Sequence, residues 1–140
     1  MDERHTFTML KPDSVQNGHI GEILWMINCA GFKIRALKMT SLSINEAQIF
    51  YQVHRGKEFF EKLTSFMTSG PVVAMVLEKD NAVEEFRKFI GATNPEKADE
   101  GTIRKKFGTN TTINAIHAAD SPENAKREAA FFFSEREIFC

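Results

Sequence analysis

The feature that most restricts this chain is the run over residues 71–78, Pro-Val-Val-Ala-Met-Val-Leu-Glu, which is apolar almost throughout. Gly70-Pro71 stops whatever precedes it, and Asp80-Asn81 opens a helix after it. A strand-sized run without polar alternation has two apolar faces, so it belongs at the centre of a sheet and must be covered on both sides. The other elements have to flank this strand or lie over it.

Those elements can be read in order. Residues 6–10, Thr-Phe-Thr-Met-Leu, alternate and predict a first strand, broken by Lys11-Pro12-Asp13-Ser14. A helix follows, with Ile20, Ile23, Leu24 and Ile27 on one stripe and Gly31 after its end. Trp25 and Met26 lie off that stripe, which fits either a subunit contact or partial burial within one chain. Residues 32–39 alternate as a second strand, with Phe32 and Ile34 opposing Lys33 and Arg35. Ser43-Ile44-Asn45-Glu46 opens a helix to about His54, and Phe59, Phe60, Leu63, Phe66 and Met67 mark another. After the central strand comes a helix ending at Ile90-Gly91, then a stretch to Thr112 rich in Gly, Thr, Asn and Pro. That stretch holds one short helical segment at 102–107, and so long an irregular segment is more often functional than idle. Residues 113–116 predict the last strand, and Ser121-Pro122-Glu123 starts a final helix running to Phe133. The order β-α-β-α-α-β-α-β-α predicts an α+β fold: a ferredoxin-like (split βαβ) four-stranded antiparallel sheet backed by helices, in one domain over 1–140.

Composition bounds the function. The 140 residues carry a formal net charge of −1, against a strongly basic nucleic-acid coat protein. Cys29 and Cys140 are too few and too scattered for a disulfide framework or zinc site, and the four histidines show no metal-ligand spacing. No apolar stretch follows the charged N-terminus, and no run is long enough to span a bilayer, so a soluble, cytoplasmic protein is expected. Neither Gly-x-x-x-x-Gly-Lys-Ser/Thr nor Gly-x-Gly-x-x-Gly occurs, so phosphate cradling of those types is excluded.

Three features do not suit a bland fold. His117 ends an apolar run just before a helix start, where a rigid imidazole can leave one ring edge open to substrate. Glu128 falls on the stripe Ala125, Glu128, Ala129, Phe132; it either faces inward and needs a partner, for which His117 is placed, or reaches solvent at the stripe's edge. Arg87 shares a helical face with Val83, Phe86 and Ile90 and either binds an anion or snorkels to water. Lys11 and Arg104 singly read as surface charges; with Arg87 and His117 they would make a polyphosphate pocket.

Beyond these features the chain resembles the nucleoside diphosphate kinase family from its first strand to its last helix. The matching segments are Lys11-Pro12-Asp13, Val15-Gln16, Gly18, Gly21-Glu22-Ile23, Ser69-Gly70-Pro71 through Val76, Thr93-Asn94-Pro95, Gly101-Thr102-Ile103-Arg104 and Asn114-Ala115-Ile116-His117. They occur in the family's order and spacing. The resemblance implies reversible ping-pong transfer of a γ-phosphoryl group from ATP or another nucleoside triphosphate to a nucleoside diphosphate, through a phosphohistidine on His117. It implies that Lys11, Tyr51, Arg87, Thr93, Arg104 and Asn114 contact phosphates, sugar or the reacting histidine. Phe59 would stack on the base with help from Leu63, a contact that tolerates any base. Glu128 would orient the imidazole, and Asp120 would reach nucleotide-bound Mg2+ through water. A homo-oligomer built from dimers, as a tetramer or hexamer, is implied too, with neither a membrane nor a specific nucleic acid as partner.

One departure stands out. The family usually has a small residue and then serine between the histidine and the aspartate, whereas this chain has Ala118-Ala119. The absent hydroxyl normally bonds near the carboxylate corresponding to Glu128, so its loss predicts lower stability or a modest rate loss. Two rivals remain at this point. A ferredoxin-like RNA or single-stranded DNA binder would show a steep salt dependence of oligonucleotide binding. A degenerate, non-catalytic relative would bind nucleotide without forming phosphohistidine.

Overall fold

The computed structural model describes residues 1–140. Four strands form one sheet: β1 (His5–Leu10), β2 (Lys33–Thr40), β3 (Val72–Glu78) and β4 (Ile116–Ala118). Their order is β2-β3-β1-β4 and every pairing is antiparallel, which is the ferredoxin-like arrangement. As the apolar run requires, β3 is interior and buried along its whole length.

Alternation along β1 and β3 divides the core in two. Phe7, Met9, Val72, Ala74 and Val76 pack with residues of α3 (Ile44–Phe50), α4 (Phe60–Met67) and α7 (Pro122–Phe132). Leu10, Val73, Met75 and Leu77 pack with α2 (Ile20–Cys29) and α5 (Ala82–Ile90) on the other face. The strands at the centre thus have helices above and below, and no helix is long and apolar enough to cross a membrane.

The helix starts follow their caps. Ser43 and Glu46 form the reciprocal capping box at α3, and Ser121 accepts from Asn124 N–H ahead of Pro122 at α7. The third helix ends at Phe50, short of the predicted His54, and Gln52–His54 continue as a tighter 3-10 turn. Trp25 is 67% exposed on α2, while Met26 packs against the core.

Two expectations need correction, and they share a cause. Lys11-Pro12-Asp13-Ser14 is not only a break, because α1 (Pro12–Gln16) starts there with proline at its first position. The last strand lies at Ile116–Ala118 instead of 113–116, so His117 sits inside β4 and not after it. Ala115 has φ of +77°, which no strand tolerates. That conformation is held from α1: Asp13 Oδ2 accepts Ala115 N–H at 3.0 Å, and Ser14 Oγ donates to Ala115 O at 2.8 Å. The apolar Ile113 belongs to a turn whose backbone bonds Asn110.

Candidate active site

His117 is the middle residue of β4, and the chain on either side of it is pinned carbonyl by carbonyl. Arg104 donates to Ile116 O at 2.8 Å, Thr8 Oγ1 to His117 O at 2.8 Å, and Arg87 to Ala118 O at 3.3 Å. Its side chain is 17% exposed, and its ring stands edge-on to Phe50 and Tyr51, at centroid distances of 5.3 and 5.6 Å. Nε2 lies 2.7 Å from Glu128 Oε1. Glu128 is 5% exposed, so the inward alternative for this carboxylate is the correct one. A neutral imidazole facing a carboxylate through Nε2 carries its proton there, which leaves the Nδ1 lone pair free. Nδ1 makes no hydrogen bond within the protein and is the ring nitrogen left for the cavity.

The cavity is about 550 Å³. Around it stand Lys11, Arg87 and Arg104, all within reach of one polyanion. Lys11 is 5% exposed and donates to Thr112 O at 3.2 Å. Burial, reinforced by the nearby Arg104, pushes its ammonium down to about 7 from the ordinary 10.5. Arg104 lies in the first turn of α6 (Ile103–Phe107) and is likewise lowered to about 10, by burial and then by Arg87. Concentrated, desolvated positive charge is unfavourable in an empty protein and favourable once an anion enters.

Several buried polar atoms in the same cavity lack a partner: Tyr51 Oη, Asn114 Oδ1, Arg104 Nε and His54 Nδ1. Buried polar groups are normally satisfied, so a cluster of orphans marks where water or a polar ligand belongs. Asn114 itself is anchored through its amide to Thr93 O and Thr111 O. At the outer end Phe59 is 42% exposed, with Leu63 buried beneath it and the His54 ring 5.1 Å away. That is a flat apolar shelf of the size a nucleobase would cover. Asp120 accepts from Asn124 at 2.6 Å; this bond, with Arg87 and His117 nearby, holds its carboxyl below the usual carboxylate range.

Every site residue expected from the sequence borders this one cavity: Lys11, Tyr51, Phe59, Leu63, Arg87, Thr93, Arg104, Asn114, His117, Asp120 and Glu128. Arg87 is exposed, and its guanidinium bonds Ala118 O and borders the cavity. Sequence reasoning missed Phe50, His54, Lys57, Asn124 and Arg127, which also line it. His54 had a signal, because it follows Tyr51 by three residues, and the 3-10 turn Gln52–His54 after α3 keeps the two rings together.

Comparison with known proteins agrees with this geometry. The family model described as nucleoside diphosphate kinase matches residues 4–138. The chain belongs to that family. The Flavobacterium psychrophilum nucleoside diphosphate kinase is 58% identical over 139 residues, spanning 99% of this chain and 100% of the relative. The Chlamydia felis enzyme is 54% identical over 133 residues, spanning 95% of this chain and 94% of its own length. Among solved structures, the Aquifex aeolicus nucleoside diphosphate kinase superposes with a TM-score of 0.94 at 46% identity, covering 96% of this chain and 98% of that one. The Halobacterium salinarum enzyme, solved in complex with CDP, gives 0.93 at 39% identity, covering 100% and 93%. The activity is therefore that of a nucleoside diphosphate kinase, a phosphotransferase acting on nucleotides, and the nucleic-acid-binding rival is set aside.

Proposed function

We propose that His117 is the phosphoryl carrier of a reversible ping-pong transfer between nucleoside tri- and diphosphates. The observation that carries this reading is the 2.7 Å contact of Nε2 with Glu128 Oε1, which leaves Nδ1 as a fixed nucleophile beside Lys11, Arg87 and Arg104. In the first half-reaction the Nδ1 lone pair attacks the γ-phosphorus. The bond from that phosphorus to the β-phosphate oxygen breaks, and the nucleoside diphosphate leaves with those electrons. In the second half-reaction a β-phosphate oxygen of another nucleoside diphosphate attacks, the P–N bond breaks, and the pair returns to Nδ1. Glu128 stabilises the positive charge that builds on the ring as the P–N bond forms. Lys11, Arg87 and Arg104 offset charge on the transferring oxygens, and Thr93, Asn114 and Tyr51 supply polar contacts to phosphate or sugar.

Phe59 and Leu63 would hold the base by its π-face alone, so broad tolerance of bases is expected. No three His, Cys, Asp or Glu side chains converge as a dedicated metal cage. Asp120, the cavity carboxylate that His117 does not engage, fits Mg2+ that arrives on the nucleotide and keeps most of its waters. Such an ion supplies charge neutralisation at the phosphates; Asp120 would hold it through water.

The same reading takes residues 1–140 as one catalytic domain, resident in the cytoplasm where its charged substrates are confined. A homo-oligomer of dimers, as a tetramer or hexamer, is supported by exposed Trp25 on α2 and by exposed Leu37 and Met39 on edge strand β2. Sedimentation in solution reads the number of chains; a monomer at micromolar concentration overturns the assembly. Initial velocities with ATP against GDP, CDP and UDP test the reaction itself. Parallel double-reciprocal lines with all three acceptors support the ping-pong route, and intersecting lines refute it.

A further inference from the structure

Glu128 has two carboxylate oxygens, and only one is accounted for by His117. Oε1 takes the imidazole at 2.7 Å. The one charged group beside Oε2 is the Arg127 guanidinium, 3.7 Å away. Position 119, buried on the same face of the sheet with Ala125 and Ala129, is alanine and offers no donor. A second polar partner at the other oxygen would fix the orientation of a carboxylate this buried.

Arg127 is an unexpected source. Adjacent residues of a helix point about 100° apart and do not normally meet. This guanidinium reaches Glu128 because Phe50 turns it back. Arg127 lies over the Phe50 ring, 5.8 Å from its centroid, and donates to Phe50 O at 3.4 Å. The Phe50 ring in turn stands edge-on to the His117 ring. Arg127 therefore ties the C-terminal end of α3 to α7 and closes a ring of contacts through Phe50, His117 and Glu128.

We propose that Arg127 is a positioning residue for phosphoryl transfer, acting through Glu128 Oε2 to hold the His117–Glu128 pair. The proposal rests on His117 being the phosphoryl carrier. Arg127 holds the Glu128 carboxylate in place, and so keeps the proton on Nε2 and the lone pair on Nδ1. Its positive charge also opposes a second positive charge on the nearby ring by simple Coulomb repulsion.

Arg127→Gln and Arg127→Lys separate charge from tether. Glutamine retains a donor for the Phe50 carbonyl but no charge, whereas lysine retains the charge. The readouts are the single-turnover rate of protein phosphorylation by γ-labelled ATP from pH 5.5 to 9, the nucleotide KM, and the His117 ring-nitrogen chemical shifts. The other ionisable cavity groups, Lys11, Tyr51, His54, Lys57, Arg87, Arg104 and Asp120, are unchanged in both variants. For Arg127→Gln the expected results are a phosphorylation rate lower by roughly 5- to 10-fold and an acid limb moved upward by about half a pH unit, with KM held. Arg127→Lys should lie within about twofold of the parent in rate and share its pH midpoint. An unmoved midpoint in Arg127→Gln, or a raised KM with unaltered phosphorylation, overturns the proposal and makes Arg127 structural or nucleotide-binding. If the parent takes no label, the phosphohistidine reading itself fails, which is a distinct result. Should Arg127→Gln fold poorly by melting temperature, the comparison of parent with Arg127→Lys still decides: a midpoint shift in the lysine variant contradicts a role carried by charge.

Discussion

Replacing Lys11 with methionine should stabilise the folded chain and disable it. Lys11 is buried, and its ammonium is lowered from 10.5 to about 7. Below pH 7 both folded and unfolded chains hold the proton, so the full electrostatic penalty acts against folding. Between pH 7 and 10.5 the unfolded chain binds more protons than the folded one, so stability rises with pH across that window. At about 1.4 kcal/mol per pH unit, the full penalty is roughly 5 kcal/mol. Methionine removes it with little change of volume but loses the hydrogen bond to Thr112 O, worth about 1.5–3 kcal/mol for a charged donor. The net gain at pH 6 is then about 2–3 kcal/mol, or roughly 6–10 °C in Tm for a chain of 140 residues. By pH 10 the gain should vanish or change sign, because the neutral amine keeps its hydrogen bond without the penalty. Melting curves of Lys11→Met and the parent at pH 6, 8 and 10, in buffers free of phosphate and nucleotide, read this directly. A variant that melts at or below the parent at pH 6, or a difference independent of pH, would refute the reasoning. The same variant should lose roughly 100- to 1,000-fold in kcat/KM, since a preorganised cation has been removed from the phosphates.

Other substitutions probe neighbouring links. Glu128→Gln keeps an oxygen for Nε2–H but loses the charge, so kcat should fall about 10- to 100-fold with a small change in KM; a kcat within twofold of the parent contradicts the orienting role. Ala119→Ser places a hydroxyl on the face of the sheet where Glu128 lies, and should raise stability by about 1 kcal/mol or kcat/KM modestly; an unchanged Tm and rate would mean that the hydroxyl is dispensable in this chain. Gly91 has φ of +93°, and a Cβ there would lie 2.5 Å from Thr102 Oγ1. Thr102 caps the helix that carries Arg104, and Gly91 O accepts from Arg104. Gly91→Ala should therefore cost about 2 kcal/mol or more in thermal stability and raise nucleotide KM, with an unaltered Tm counting against the close approach.

The legible parts of this molecule are those set by local pattern. The run over residues 71–78 announced the interior strand β3, and the caps at Ser43 and Ser121 announced their helices. Glu128 was conspicuous because a carboxylate on an apolar stripe is costly, and its contact with His117 accounts for it. What escaped depends on long-range contacts. Ile113 looks like a strand residue, and only Asp13 and Ser14, about a hundred positions earlier, force Ala115 out of the extended region. Lys11 and Arg104 look like surface charges until the fold buries both beside one cavity. Arg127 precedes Glu128 in sequence, where helical geometry argues against contact, and only the Phe50 ring and carbonyl bring the two together.

The central claim is that His117 carries the phosphoryl group on Nδ1. The most direct measurement incubates the protein with Mg2+ and γ-labelled ATP, then follows the label on the protein before and after GDP or CDP is added. The account predicts one acid-labile, base-stable label per chain, absent from His117→Ala and removed by either diphosphate as labelled GTP or CTP. A folded protein that binds nucleotide but takes no label, or one still labelled after His117→Ala, would contradict it.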